Sequence, residues 1–149
     1  MISSFDKEYA FLSNFYETLV DFEGLVYPSS EAAFQAAKTL DHRLRQDFTV
    51  LNPSQSKRMG RTIDLRPDRE SVKEDVMLRI VRSKFNSNPE IAEKLIATYP
   101  EILVEGNHWH DNTWGDCSCP RCRNIPGHNK LGQILMTVRD ELRTAAGLA

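Results

Sequence analysis

Long apolar runs are missing from this chain. None approaches the roughly 18 residues needed to span a bilayer, so no membrane segment is expected. Cysteine is scarce too: the 149 residues contain three, all within Cys117-Ser118-Cys119-Pro120-Arg121-Cys122, too few and too close together for a secreted disulfide framework. The first residues, Met1-Ile2-Ser3-Ser4-Phe5-Asp6-Lys7-Glu8, lack a basic segment leading into an apolar one, so no secretory signal is expected and the expected location is cytoplasmic. No charge sign dominates: the net charge of −2 argues against a dedicated nucleic-acid coat protein while leaving room for a local basic patch. Repeats, linkers and shifts of composition are absent, and one domain over residues 1–149 is expected. What remains is an ordinary globular composition, 40% hydrophobic and 27% charged.

Turn and cap chemistry divides the chain. Thr18-Leu19-Val20-Asp21-Phe22 and Leu25-Val26-Tyr27 flank Glu23-Gly24 and predict a hairpin within a β-rich opening of about 27 residues. Ahead of it, Phe11 to Tyr16 is rich in aromatics, with Asn14 in its middle. Ser29 or Ser30 caps a helix predicted to run to about Leu40, and a short helix over 41–50 follows. Asn52-Pro53 starts another helix, through about Met59, and residues 61–69 read as an irregular basic connection. From Ser71 to Phe85 the stripe Val72, Val76, Met77, Ile80, Val81 and Phe85 marks an amphipathic helix. A helix from Asn88-Pro89 packs through Ile91, Leu95 and Ile96, and Ile102-Leu103-Val104 reads as a strand. Residues 105–129 form a long loop holding both tryptophans, three of four histidines and every cysteine. A last helix from about Leu131 packs through Ile134, Leu135, Val138 and Leu142. The fold class is mostly α with a small β element, α+β.

The helix opening Pro28-Ser29-Ser30-Glu31-Ala32-Ala33-Phe34-Gln35-Ala36-Ala37-Lys38 has two unlike faces. At about 100° per residue, Glu31, Phe34, Gln35 and Lys38 share one arc, and Ala33, Ala36, Ala37 and Leu40 occupy the other side. Spacing alone leaves the polar face as either a solvated surface or a site.

Several segments recur in an order known from one family. They are Phe11-Leu12-Ser13-Asn14-Phe15, the helix opening above, Met59-Gly60-Arg61, Leu65-Arg66-Pro67-Asp68, Val76-Met77 and Lys84-Phe85. They continue with Leu103-Val104-Glu105, Trp114-Gly115-Asp116 and Asn129-Lys130-Leu131-Gly132-Gln133-Ile134-Leu135-Met136 on to Arg139. Over about residues 5–145 the chain resembles the NADAR family, also called YbiA-like. The resemblance implies a mostly helical fold and N-glycosidase activity on N-ribosyl compounds. In the family these are phosphorylated intermediates of riboflavin synthesis or, in some members, ADP-ribose on guanine in DNA or RNA. It also implies that the polar helix face lines a pocket and that Asn14, Glu31, Lys38, Trp114, Asp116 and Asn129 match pocket motifs. Two positions depart from the pattern: Arg69 stands where many members have tryptophan, and the cysteines are inserted where others have a short glycine-rich segment.

Cleaving a ribosyl C1′–N bond passes through a cation-like sugar, for which carboxylates are the natural tools. Glu31, in a first helical turn that favours its ionised form, is expected to stabilise that cation or take a proton from water. Lys38 is expected either to orient phosphate and Glu31 or to attack C1′ as an imine-forming amine. The adjacent carboxylate should keep it protonated. Asp116 is expected to act as a second carboxylate or ribose binder, with Gly115 letting the backbone approach a ligand and Trp114 forming a stacking wall. Asn14, Phe15, Phe34, Gln35, Arg61 and Asn129 complete the substrate-binding set, although Asn129 also suits a helix cap. Lys57, Arg58, Arg61, Arg66, Arg69 and Lys73 form a cationic stretch suited to phosphate or to solvent. No cofactor is required. Cys117, Cys119 and Cys122 with His108, His110 or His128, of which His128 is carried as the candidate, offer the donors of a structural zinc site, or remain free thiols. The expected partners are a small phosphorylated N-ribosyl or ADP-ribosyl substrate, nucleic acid if the substrate is ADP-ribosylated guanine, and no membrane. A non-catalytic ADP-ribose or nucleotide reader and a small zinc-stabilised nucleic-acid module are the competing classes.

Overall fold

The computed structural model describes residues 1–148. They pack as two compact units: a central one of Asn14–Pro89, and a terminal one of Met1–Ser13 with the chain from Glu90 onward. The elements are helical apart from two two-stranded sheets, an α+β architecture as the sequence predicts. No helix among the described residues is long and apolar enough to cross a membrane.

The central unit begins with the antiparallel hairpin β1 (Glu17–Phe22) and β2 (Leu25–Ser29), in which Val20 faces Tyr27 and Phe22 faces Leu25. Glu23 and Gly24, both at positive φ (47° and 90°), make the two-residue turn whose twist suits a hairpin. Strand passes directly into helix. Ser29, the last residue of β2, caps α1 (Ser30–Ala36) by accepting the Ala32 N–H at 3.1 Å. After α2 (His42–Asp47) and a 3-10 turn (Phe48–Val50), α3 (Pro53–Gly60) opens with a reciprocal capping box between Asn52 and Gln55. The 18-residue α4 (Arg69–Asn86) lays Val76 and Ile80 into a core with Val20, Phe22, Tyr27, Phe48 and the alanines of α1.

One boundary differs from expectation. α1 ends at Ala36 rather than near Leu40, because the next carbonyls are taken from outside the helix. The Arg66 N–H donates to Lys38 O at 2.7 Å and Arg45 Nε donates to Thr39 O at 2.8 Å.

In the terminal unit the β-rich opening is replaced by a 3-10 helix, Lys7–Leu12, which buries Phe11 and Leu12. The strand expected at Ile102–Val104 is reduced to a single parallel bridge between Leu103 and Ile2. The helices α5 (Pro89–Ala97) and α6 (Lys130–Ala145) follow their predicted positions. Arg139 of α6 is buried, and its Nη1 donates to Thr98 Oγ1 at 3.1 Å and to Glu101 O at 2.7 Å. Between these helices the predicted loop contains the short parallel pair β3 (Gly106–Asn107) and β4 (Asp116–Cys117).

A methyl group on Gly24 would meet no atom within 4 Å, so only the backbone φ of 90° resists a side chain there. Gly24→Ala is expected to destabilise the protein by about 1 kcal/mol, and chemical denaturation of both variants measures this.

Candidate active site

The two-faced character of α1 survives folding, but the polar face is not solvated. Ala32, Ala33, Ala36 and Ala37 are buried in the core, and Glu31 and Gln35 are also buried, at 8% and 5% exposure. A carboxylate removed from water needs partners, and α1 supplies one from its next turn: Gln35 Nε2 donates to Glu31 Oε1 at 2.8 Å. Gln35 is itself held in place by α3. A Cβ on Gly60 would lie 2.0 Å from Gln35 Oε1, so this amide fits only because position 60 has no side chain. That explains the glycine of Met59-Gly60-Arg61 by packing. Asn14 joins the start of α1 through its carbonyl, which accepts the Glu31 N–H at 3.0 Å. Its Nδ2 points to the Met77 sulfur at 3.6 Å, and its Oδ1 is buried without a hydrogen-bond partner.

Lys38 lies half-buried just beyond α1, with Nζ 5.5 Å from the centre of the Phe34 ring. Phe34 itself packs partly into the core. The surroundings of Lys38 pull its pKa in opposite directions. Burial lowers the Lys38 pKa, Glu31 opposes this, and Arg61, Lys57 and Arg69 push it down further. Lys57 lies over the ring of the exposed Phe15 at 5.9 Å, and Arg61 is exposed at the end of α3. Lys38, Lys57 and Arg61 make no ion pair among the described residues.

Other members of the basic stretch are committed elsewhere. Arg66 grips Asp68 through Nε at 2.6 Å and Nη2 at 3.0 Å, and Lys73 pairs with Glu70 at 2.8 Å. The central unit thus brings together Asn14, Phe15, Glu31, Phe34, Gln35, Lys38 and Arg61.

Trp114, Asp116 and Asn129 belong to the terminal unit, in a loop braced by short polar side chains. Asp111 Oδ1 accepts the N–H groups of Thr113 and Trp114 at 3.1 and 2.9 Å, and Asn112 Oδ1 accepts that of Cys117 at 2.8 Å. Asp116 is exposed, with Oδ1 accepting the Gly127 N–H at 2.9 Å. Gly115 does allow close approach, but to protein: a Cβ there would lie 2.3 Å from Glu105 O. Asn129 adopts a left-handed backbone (φ 50°) and makes no side-chain cap on α6. Its amide instead links two backbone groups, donating to Leu103 O at 2.9 Å and accepting from Glu105 N–H at 3.0 Å.

The cysteines gather with His110, and His128 lies outside that group. Of the three histidines open to that group, His110 and not the candidate His128 is the one beside the thiols: the β3–β4 pairing folds it back over Cys117, so that its N–H meets Cys117 Sγ at 3.2 Å.

Sequence reasoning passed over Lys84 as a chemical group. It is 1% exposed, its Nζ lies 5.7 Å from the Tyr16 ring centre and 5.2 Å from that of Phe85, and burial lowers its pKa to about 7. Its position was a usable signal, since Lys84 follows Val76 and Ile80 at intervals of four on the apolar stripe of α4.

Comparison with known proteins places this arrangement. Fold and site define an α+β protein, about half helical, whose buried acid–amide pair lies on a helix beside cations that make no ion pair among the described residues. The NADAR domain matches residues 2–143. N-glycosidase YbiA of Shigella boydii is 39% identical over 142 residues, covering 93% of this chain and 85% of that protein. A riboflavin biosynthesis protein of Vibrio vulnificus is 37% identical over 144 residues, covering 95% of this chain but 38% of the relative. The NMR structure of the Escherichia coli protein YbiA superposes with a TM-score of 0.81 at 36% identity, covering 97% of this chain and 84% of that one. The chain belongs to the NADAR family.

Two outcomes test the geometry. Gly60→Ala is expected to drive the Gln35 amide off Glu31 and cost about 1–3 kcal/mol, read by denaturation and by the Gln35 side-chain NH2 resonances moving toward those of an exposed amide. Lys84 binds its proton in the unfolded chain but releases it in the fold between pH 7 and its ordinary value of 10.5. Stability should therefore rise with pH across that window. Melting temperatures at pH 7 and pH 9 are expected to show that rise in the parent and a smaller one in Lys84→Met.

Proposed function

We propose that this chain is an N-glycosidase that hydrolyses the ribosyl C1′–N bond of a phosphorylated ribosylaminopyrimidine. The observation that carries the reading is the buried Glu31–Gln35 pair, 2.8 Å between Nε2 and Oε1, beside the unpaired cations Lys38 and Arg61. The names of the similar proteins support the class of reaction and, for the Vibrio vulnificus relative, the riboflavin connection.

Glu31 faces C1′ and takes a proton from the attacking water while its charge stabilises the sugar cation. Gln35 holds that carboxylate in one orientation. As the C1′–N bond breaks, the water oxygen bonds to C1′ and the proton that Glu31 took from that water passes to the leaving nitrogen, directly or through solvent, giving the aminopyrimidine and ribose phosphate. Arg61 and Lys38 receive the phosphate. Burial first, and then repulsion from Arg61 and Lys57, lowers the Lys38 pKa; a phosphate dianion among these cations opposes both, so phosphate binding and protonation of Lys38 reinforce each other. Asn14 Oδ1, buried without a donor, accepts from a substrate hydroxyl or amino group. Phe15 and Phe34 supply apolar contact. From the terminal unit, Trp114, Asp116 and Asn129 are retained as family-implied candidates, although the Asn129 amide already bonds to Leu103 and Glu105.

The test is a side-by-side turnover assay on a ribosylaminopyrimidine phosphate and on DNA carrying ADP-ribosylated guanine. Glu31→Gln is expected to lose on the order of 10²–10⁴ in kcat on the first substrate while still binding ribose phosphate. Near-normal turnover in that variant removes Glu31 from the chemistry. Turnover of the DNA substrate alone, with a steep salt dependence, assigns the ADP-ribosyl-guanine activity instead. Product binding without turnover of either substrate leaves a nucleotide reader. Borohydride trapping of an adduct that disappears in Lys38→Ala moves Lys38 from phosphate binding to covalent catalysis.

A further inference from the structure

We infer that His110, Cys117, Cys119 and Cys122 form a closed tetrahedral site for a zinc-class divalent cation, which holds the loop between β3 and α6 in its folded form.

The geometry is that of a ligand shell. One donor atom from each of the four residues lies within 4.8 Å of every other. His110 Nδ1 is 3.1 Å from Cys119 Sγ and 3.5 Å from Cys122 Sγ. A zinc ion at ordinary bond lengths sets S···N edges of about 3.6 Å and S···S edges of about 3.8 Å, so the shell closes with sub-ångström shifts. The cysteines are free thiols: Cys117 and Cys119 are buried and Cys122 is half-buried.

The backbone around the sulfurs has the matching form. The His110 and Cys119 N–H groups point at Cys117 Sγ at 3.2 and 3.5 Å, stabilising negative charge on that sulfur. The Cys122 and Arg123 N–H groups both donate to Cys119 O at 2.9 Å, closing the Cys-Pro-Arg-Cys turn that brings its two sulfurs to one side. His110 holds a left-handed backbone (φ 70°), costly for a residue with a branched ring, and that conformation aims Nδ1 at the sulfurs. Arg121 lies against His110 Nε2. With the cation on Nδ1, that nitrogen carries the ring proton and the exposed guanidinium turns to solvent.

Three thiolates and one imidazole select zinc-like cations over magnesium or calcium, and four protein donors leave no open position for a substrate. The role is therefore structural. The cation ties His110, before Trp114-Gly115-Asp116, to Cys117, Cys119 and Cys122 after it. It adds a restraint to a segment otherwise held by the short β3–β4 pair and by hydrogen bonds from side chains such as Asn107, Asp111 and Asn112.

The test uses the full chain, purified without chelator, with metal content by mass spectrometry and cobalt(II) substitution by absorption. The expected result is about one equivalent of zinc, and a cobalt form with thiolate charge-transfer and tetrahedral d–d bands. Stoichiometry is expected to fall close to zero in Cys119→Ser and to stay at about one in His128→Ala. Chelation is expected to lower the melting temperature and to make all three thiols reactive toward a disulfide reagent. Folded parent protein with well under half an equivalent of zinc and no cobalt bands overturns the inference, and so does undiminished zinc in a folded Cys119→Ser variant. Because every readout is metal content, spectrum or stability, the result is independent of which substrate is turned over.

Discussion

A carboxylate withdrawn from water must be met by donors or cations, and Glu31 imposes that requirement on the central unit. Its partner is Gln35, one turn along the same helix, at 2.8 Å. The partner in turn needs the space left by Gly60. The alanine face makes this possible: with Ala32, Ala33, Ala36 and Ala37 buried, α1 packs closely enough for its polar face to be enclosed as well. Ser29 anchors the start of the helix, and Arg45 and Arg66 take the carbonyls at its end, so the seven-residue helix is held at both termini.

Charge divides into local pairs and cations outside them. Arg45 with Glu23, Arg66 with Asp68 and Lys73 with Glu70 are neutralised locally. The more exposed of these pairs contribute little to stability, but all three remove their members from the pool available to an anion. Lys38 and Arg61 are outside these pairs. The Lys38 pKa is lowered first by burial and further by neighbouring cations, with Glu31 opposing both.

In the terminal unit a loop of some 25 residues is given shape without long elements. Asp111, Asn112 and Asn129 satisfy backbone groups that a sheet or helix would otherwise serve. The Asn129 link explains the asparagine of its motif in structural terms. The sulfur and imidazole cluster of His110, Cys117, Cys119 and Cys122 lies in the same loop.

Local signals were readable in advance wherever a short-range rule applies. Glu23-Gly24 announced the hairpin, Ser29 and Asn52-Pro53 the helix starts, and the Val76–Ile80 spacing the buried face of α4. The order of motifs announced the family. The points that escaped depend on partners distant in the chain. Nothing near Leu40 shows that Arg45 and Arg66 will end α1 early. Nothing near the cysteines shows that a β3–β4 pairing will bring His110 to them in place of His128. Residue type and spacing determined which groups exist and which helix face carries them. Tertiary structure decided which of them lose water and which lose their charge, because burial and the summed field of neighbours are properties of the folded chain.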